Sequence, residues 1–293
     1  MYIRFVMKKI NLLLIALLGL APKTQAEVLF TEDFDYQSGT SITSQNGWFL
    51  QWGGASNMLT VEPGLEFAGY PGSGVGNALL IQGDYSNDMP HHVFEQVKSG
   101  DVFVAVLLEP TFVTKSGYFL TLRDEHADNT AYNYCGRVYA GVDDDYNNVV
   151  GLRFFKKAEA VFDETVHLAS DKTYLLVLRY HIVDGANNDE VSLYLFDQMP
   201  TAMPDKPLIG PLTDPQAPDI NPAHVVFHSY DDDGFLTVDG LRVATTFEDA
   251  VGIEAQGWLS TSSTEQPAKQ LHHGQLRIIR NNTIYTPLGQ ISY

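Results

Sequence analysis

The sequence predicts an all-β chain folded as a two-sheet sandwich. Three observations carry that expectation. Short runs of β type recur between residues 101 and 243, Asn/Asp/Gly turn signals separate them, and helical periodicity is nearly absent from the 293 residues. Spaced strands with polar turns favour a sandwich or barrel over alternating βαβ units, whose crossovers need helices.

The opening segment is unlike the rest. Arg4, Lys8 and Lys9 precede the apolar run Ile10 to Leu20, and Ala21 to Ala26 supplies small residues and a proline. A charged start, an apolar stretch and a cleavage-like Thr24-Gln25-Ala26 read as a secretory signal over residues 1–26. A membrane span needs roughly 20 apolar residues, and this run is shorter. The expected product is secreted or held at the cell surface, with no stable membrane insertion after cleavage. Loss of the segment removes four basic and no acidic residues, which leaves 14 Lys and Arg against 36 Asp and Glu, a formal net charge of −22. That surface repels phosphate backbones, so nucleic acid is excluded as a natural partner, while neutral glycans, cations and basic proteins remain. A single cysteine, Cys135, allows no internal disulfide, so the domain must rely on its core. Cys135 lies in a strand-like run and reads as a buried structural thiol.

The runs follow in order. Asp101 to Leu108 is almost continuously apolar, and Tyr118–Arg123, Arg137–Tyr139, Val149–Phe154 and Val191–Phe196 alternate. Tyr174 to Val183 is the longest, and His224–His228 and Phe235–Val243 close the series. Thr246 to Val251 is the clearest helical candidate, with Thr246 as N-cap and Asp249 placed like a capping-box acid. Met199 to Pro222 holds seven prolines and is expected to be an extended surface connection. These limits give a sandwich domain over 27–251, a polar linker over 252–270, and a tail over 271–293. In that tail, Gln275–Arg280 and Thr283–Tyr285 form a hairpin about Asn281-Asn282.

Specific residues then resemble a family. Phe30-Thr-Glu-Asp-Phe-Asp-Tyr36, with Gly39 and Asn46-Gly47-Trp48, resembles the opening of exported bacterial concanavalin A-like (LamG-like) jelly-roll proteins. Gly69-Tyr70-Pro71 with Gly72 to Asn77 resembles their next segment, and Val238-Asp-Gly-Leu-Arg-Val243 with Thr246, Phe247 and Asp249 their end. The resemblance implies a jelly roll whose first and last strands lie side by side, with a concave sheet as ligand groove. It also implies a structural calcium tying those strands, with Glu32 or Asp33 and Asp239 as ligands and a carbonyl of the Gly72–Asn77 loop as a third contributor. In the tail, Leu276–Ile279, Thr283–Tyr285 and Leu288-Gly-Gln290 resemble the end of a type IX secretion sorting module, though far shorter than a full one.

Candidate chemistry is sparse. Glycanases of this fold carry two carboxylates on one strand, facing a single cleft. No such run occurs, and Asp124-Glu125-His126-Ala127-Asp128, the nearest match, reads as a loop. Asp143–Asp145 and Asp231–Asp233 lack EF-hand spacing and read as solvated turns. His91-His92 and His272-His273 are adjacent, so on a strand each pair points to opposite faces, and surface loops are expected for them.

Glycan binding wants flat aromatic faces beside polar groups. Trp48, followed by Phe49-Leu50, reads as core, whereas Trp52 precedes Gly53-Gly54 and suits an exposed loop. Tyr132 and Tyr134 alternate and share a face, as do Arg137 and Tyr139; packing and ligand contact both remain open for them. Arg123, Arg137, Arg153 and Arg179 sit in strand-like runs and are expected to line the concave face alongside acids. The expectation is a non-catalytic, lectin-like protein that holds polysaccharide with Trp52, Tyr132, Tyr134, Arg137 and Tyr139. The alternatives are a glycan-cleaving hydrolase or lyase with an unrecognised acid pair, or a structural, adhesive surface protein.

Overall fold

A computed structural model describes residues 27–43, 45–54, 58–83, 88–112, 117–125, 133–229, 234–253, 268–272, 275–280 and 283–285. The expected signal segment, Tyr132, Asp231–Asp233, His273 and the Leu288–Gln290 match fall outside the described residues. The chain divides into two compact units, Met1–Glu254 and Ala255–Tyr293. Among the described residues no helix is long and apolar enough to cross a membrane.

The first unit runs β1 (Val28–Glu32), β2 (Phe49–Leu50), β3 (Met58–Val61), β4 (Ala78–Gln82), β5 (Pro90–Val93), β6 (Gly100–Phe112), β7 (Gly117–Asp124) and β8 (Tyr134–Val142). It continues with β9 (Asn148–Arg153), β10 (Val161–Leu168), β11 (Tyr174–Ile182), β12 (Glu190–Phe196), β13 (Ile209–Leu212), β14 (Pro222–Phe227), β15 (Phe235–Ala244) and the short helix α1 (Phe247–Val251). These strands form two antiparallel sheets, the expected all-β jelly-roll sandwich. Sheet I has the order β13-β12-β11-β6-β15-β4-β3, with β1 also paired to β15, and sheet II the order β10-β9-β8-β7-β14-β5-β2. The pairing of β1 with β15, Thr31 opposite Arg242 and Glu32 opposite Leu241, sets the first strand beside the last of the domain, as the resemblance implied.

Alternation along the strands explains the core. Val102, Val104, Val106 and Leu108 of β6 and Leu176, Leu178 and Tyr180 of β11 point inward, to meet Leu120, Leu122, Val138, Leu152, Val225 and Phe227 from sheet II. Each such side chain contributes roughly 1.5–3 kcal/mol of transfer free energy, which is how the domain holds without a disulfide. The intervening residues of sheet I, Phe103, Ala105, Leu107, Leu175 and Val177, are also buried, beneath Leu65, Phe67 and Tyr70 of the 62–77 loop and Phe247 and Val251 of α1. Burial on both faces is why the β6 and β11 runs read as continuously apolar. The helix is capped as expected: Thr246 Oγ1 accepts from Asp249 N at 3.2 Å, and Gly252 closes it in the left-handed region at φ 75°.

The proline-rich stretch differs from a plain surface connection. Ile209–Leu212 pairs with β12 as an edge strand, where Pro211 faces no further partner, and Ala217 and Ile220 are buried. In the second unit the expected hairpin pair, β17 (Gln275–Arg280) and β18 (Thr283–Tyr285), is joined by β16 (Ala268–His272), so strand begins inside the stretch expected to be linker. Polar Ala-Lys-Gln-Leu-His carries no alternation strong enough to announce it.

Candidate functional site

The outer side of sheet I carries Leu65, Phe67, Tyr70 and α1, while polar and aromatic side chains gather on the outer side of sheet II, with Arg123, His224 and His228 buried among them. Inward positions of β14, β7, β8 and β9 are taken by Val225 and Phe227, Leu120 and Leu122, Cys135, Val138 and Ala140, and Val150 and Leu152. Alternation therefore turns His224, Arg123, Tyr134, Arg137, Tyr139 and Arg153 outward. None of these outward positions is a carboxylate, in a chain with twice as many acids as bases.

The centre of the face is Arg123, at the end of β7. Its register partners are His224 on β14 and Tyr134 on β8. Its Nη2 lies 2.9 Å from both ring nitrogens of His224, and Nη1 donates to Oε1 of Gln51, just beyond β2. The His91 ring of β5 stands 5.3 Å from that of His224 and 5.9 Å from exposed Phe49. Burial, then the Arg123 charge, lowers His91 to about 4 and His224 to about 3. Both imidazoles are therefore neutral at neutral pH and can accept a proton or a hydrogen bond.

A second group lies further across the sheet. The His228 ring stacks on Tyr118 at 4.1 Å, and burial, the largest cause, lowers His228 to about 4. Arg137 holds its guanidinium carbon 4.7 Å from the centre of the same Tyr118 ring, and Arg153 lies 5.0 Å from that of Tyr139. Phe162 of β10 packs edge-on to Tyr139 at 5.8 Å.

The residues expected from sequence fall as follows. Tyr134, Arg137 and Tyr139 share the outer face of sheet II. Trp52 is 62% exposed and follows Gln51 at the rim, where its carbonyl accepts from Met89 N at 3.0 Å. Trp48 is buried, as expected. Arg179 departs from the other three arginines: it belongs to β11 of sheet I, where its Nε donates to Asp101 at 2.7 Å. Among the described residues, no acid contacts Arg137 or Arg153. His91 and His92 correct another expectation, for they lie in a strand and not in a loop; His91 faces outward, while His92 stacks on Phe30 at 3.8 Å.

The expected calcium ligands have protein partners of their own. Glu32 is buried, its Oε1 accepting from Phe34 N at 2.8 Å and its Oε2 from Tyr36 Oη at 2.5 Å and Trp48 Nε1 at 2.9 Å. Asp239 accepts from Leu65 N at 2.7 Å and Gly240 N at 2.6 Å, and burial raises it to about 8. Asp33 is raised as well, first by burial and then by Glu32. Calcium takes six to eight converging oxygens, and among the described residues no group of three or more His, Cys, Asp or Glu side chains could hold a metal. Glu32 and Asp239 each already accept hydrogen bonds from the protein, and a calcium ion between the first and last strands would have to draw further oxygens from backbone carbonyls.

Gln51, His91, His224, His228 and Tyr118 were not singled out from sequence. The available signal was His224 and His228 at spacing four on a strand whose intervening residues are apolar, which puts both on its polar face. Which strands flank them is a matter of sheet order, which local patterns do not carry.

No protein-family model matches the chain, and no curated protein matches it. Solved structures with a similar course of chain include the alginate lyase Aly36B, at 9% identity over 73% of this chain and 95% of that one, TM-score 0.48. The globular domain of T. cruzi calreticulin is similar at 12% identity over 77% and 91%, TM-score 0.47. A glycosyl hydrolase family protein from Mycobacterium fortuitum follows at 11% identity over 74% and 99%, TM-score 0.42. Likeness at this depth says nothing of ligand or activity.

Proposed function

We propose that this chain is an exported protein that binds an acidic polysaccharide on the outer face of sheet II. The observation that supports this reading is the placement of Arg123, Arg137 and Arg153 on one face of sheet II in a protein whose net charge is strongly negative. Cations gathered there act against the overall field and make a local well for a polyanion. Guanidinium forks suit planar carboxylates, and the aromatic rim of Phe49 and Trp52 suits sugar rings. Affinity electrophoresis of the full chain through gels of polygalacturonate, alginate or a neutral glucan tests the reading. Retardation by a uronate polymer that weakens with salt is expected; migration unchanged in every acidic gel overturns it.

A second reading, eliminative cleavage, is favoured by the neutral His91 and His224 beside Arg123. Hydrolysis would require paired carboxylates, and the six outward positions named above supply none. Elimination from a uronate requires a cation against the sugar carboxylate, a neutral base for the proton on C5 and an acid for the leaving oxygen. Arg123 with Gln51 supplies the first, His91 or His224 the second, and the Tyr134 phenol the third. The C5–H electron pair becomes the C4=C5 double bond, the C4–O bond breaks, and the leaving oxygen takes up a proton. Absorbance of the unsaturated product near 235 nm separates this from binding alone, since a pure binder gives retardation without product.

A further inference from the structure

We propose that Arg137 and Arg153 form a second anion subsite, which holds the acidic group of a sugar lying beyond the one held at Arg123. The inference rests on the acidic-glycan reading above and specifies the ligand further: charges must recur along the chain, so a single acidic sugar in a neutral polymer would leave the subsite empty.

Arg137 of β8 and Arg153 of β9 are register partners, directly opposite each other. Like charges at opposed positions repel, and proteins ordinarily relieve such a pair with a carboxylate. Among the described residues neither arginine has one. Arg137 packs on Tyr118, while Arg153 packs on Tyr139 and donates Nη1 only to the Lys156 carbonyl at 3.2 Å. The Nε of each is buried without a hydrogen-bond partner. Two half-buried guanidiniums with unmet donors, held by aromatic stacking against neighbouring strands, form a cradle suited to an anion. The Gly136 bulge, at φ 68°, separates Tyr134, opposite Arg123, from Arg137, so the two cationic positions are distinct along β8.

Calorimetric titration of the full chain with a uronate disaccharide and a uronate hexasaccharide tests this, together with the single variants R137Q and R153Q and the double variant. For the double variant, affinity for the hexasaccharide is expected to fall about tenfold, since charge-assisted bonds to the anion are lost. Affinity for the disaccharide, which reaches only the Arg123 centre, should not change. The melting temperature should hold or rise, because the repulsion is removed. Unchanged hexasaccharide affinity in the double variant overturns the subsite and leaves the acidic-glycan reading standing. Equal loss for both ligands together with a lowered melting temperature shows a structural role, which also overturns it. Failure of the unaltered chain to bind either ligand overturns both.

Discussion

The guanidinium of Arg123 stands 2.9 Å from both ring nitrogens of His224 and therefore donates to whichever one lacks a proton. A fixed cation at that distance opposes imidazolium formation. Burial is the larger cause of the low His224 pKa and the Arg123 charge the next, and the same order holds for His91. Replacing Arg123 by Met should move both histidines upward, while burial still keeps them below the ordinary 6.5. Two-dimensional NMR of the imidazole carbons through a pH series checks this. Histidines that stay near 3 and 4 in R123M would show that the cation contributes nothing.

If cleavage occurs, its base must be unprotonated. His91 and His224 are neutral above about 4 and 3 respectively, so product formation should be nearly independent of pH from about 5 to 7 and fall only in stronger acid. His224→Ala should lower the rate by roughly a hundredfold or more, the usual scale for a lost general base, while gel retardation persists. A bell centred near pH 6.5, set by an unperturbed histidine, is the outcome that sinks this assignment.

Glu32 gathers the start of the domain. It accepts from Phe34 N, Tyr36 Oη and Trp48 Nε1, and so ties β1 to the segment leading into β2. Glu32→Gln replaces one acceptor oxygen by a donor facing a donor, and should cost about 2 kcal/mol in urea unfolding. Addition of calcium should leave the midpoint of the unaltered protein where it was, in keeping with a carboxylate already satisfied by protein donors.

Much of this architecture was legible in the sequence for a physical reason. Residues buried on both faces, such as Val102–Leu108 and Tyr174–Leu178, write an unbroken apolar run, and a capped turn such as Thr246–Val251 writes its own boundaries. The site was not legible, because it is assembled across strands distant in sequence. His91, Arg123, Tyr134 and His224 meet only through the β5-β14-β7-β8 order, and no local pattern encodes that neighbourhood. Within one strand the reading worked: period-two alternation put Arg137 and Tyr139 on one face, and both are there. Residue types alone gave no sign that Glu32 accepts from Trp48 Nε1, a pairing that spans sixteen residues of sequence.

Gly76 has φ 66°, and a Cβ added there would lie 2.1 Å from the Asp33 carbonyl oxygen. That oxygen also accepts from Asn77 N at 3.1 Å. Gly76→Ala meets both left-handed strain and a backbone collision, so a loss of more than about 2 kcal/mol is expected. Gly39→Ala, at φ 80° with nothing within 4 Å of its added Cβ, isolates the strain alone and should cost less. Equal melting temperatures for the two variants would remove the collision from the account.

Stability against pH should be shaped by two opposing sets of groups. His91, His224 and His228 have folded pKa values of about 4, 3 and 4, below the unfolded 6.5. Between those values the unfolded chain binds more protons, so stability falls as pH drops from about 6.5 toward 4. Asp239 is the reverse, raised from 3.8 to about 8 by burial, so the folded chain holds the extra proton across that window. Its contribution is fully present below 3.8 and is lost as pH rises through 8. The melting temperature should therefore pass through a maximum between these flanks. Asp239→Asn keeps a neutral side chain at every pH and can still accept from Leu65 N or Gly240 N, so it should flatten the alkaline flank and leave the acid one intact. Persistence of the alkaline decline in D239N would assign that flank to another group.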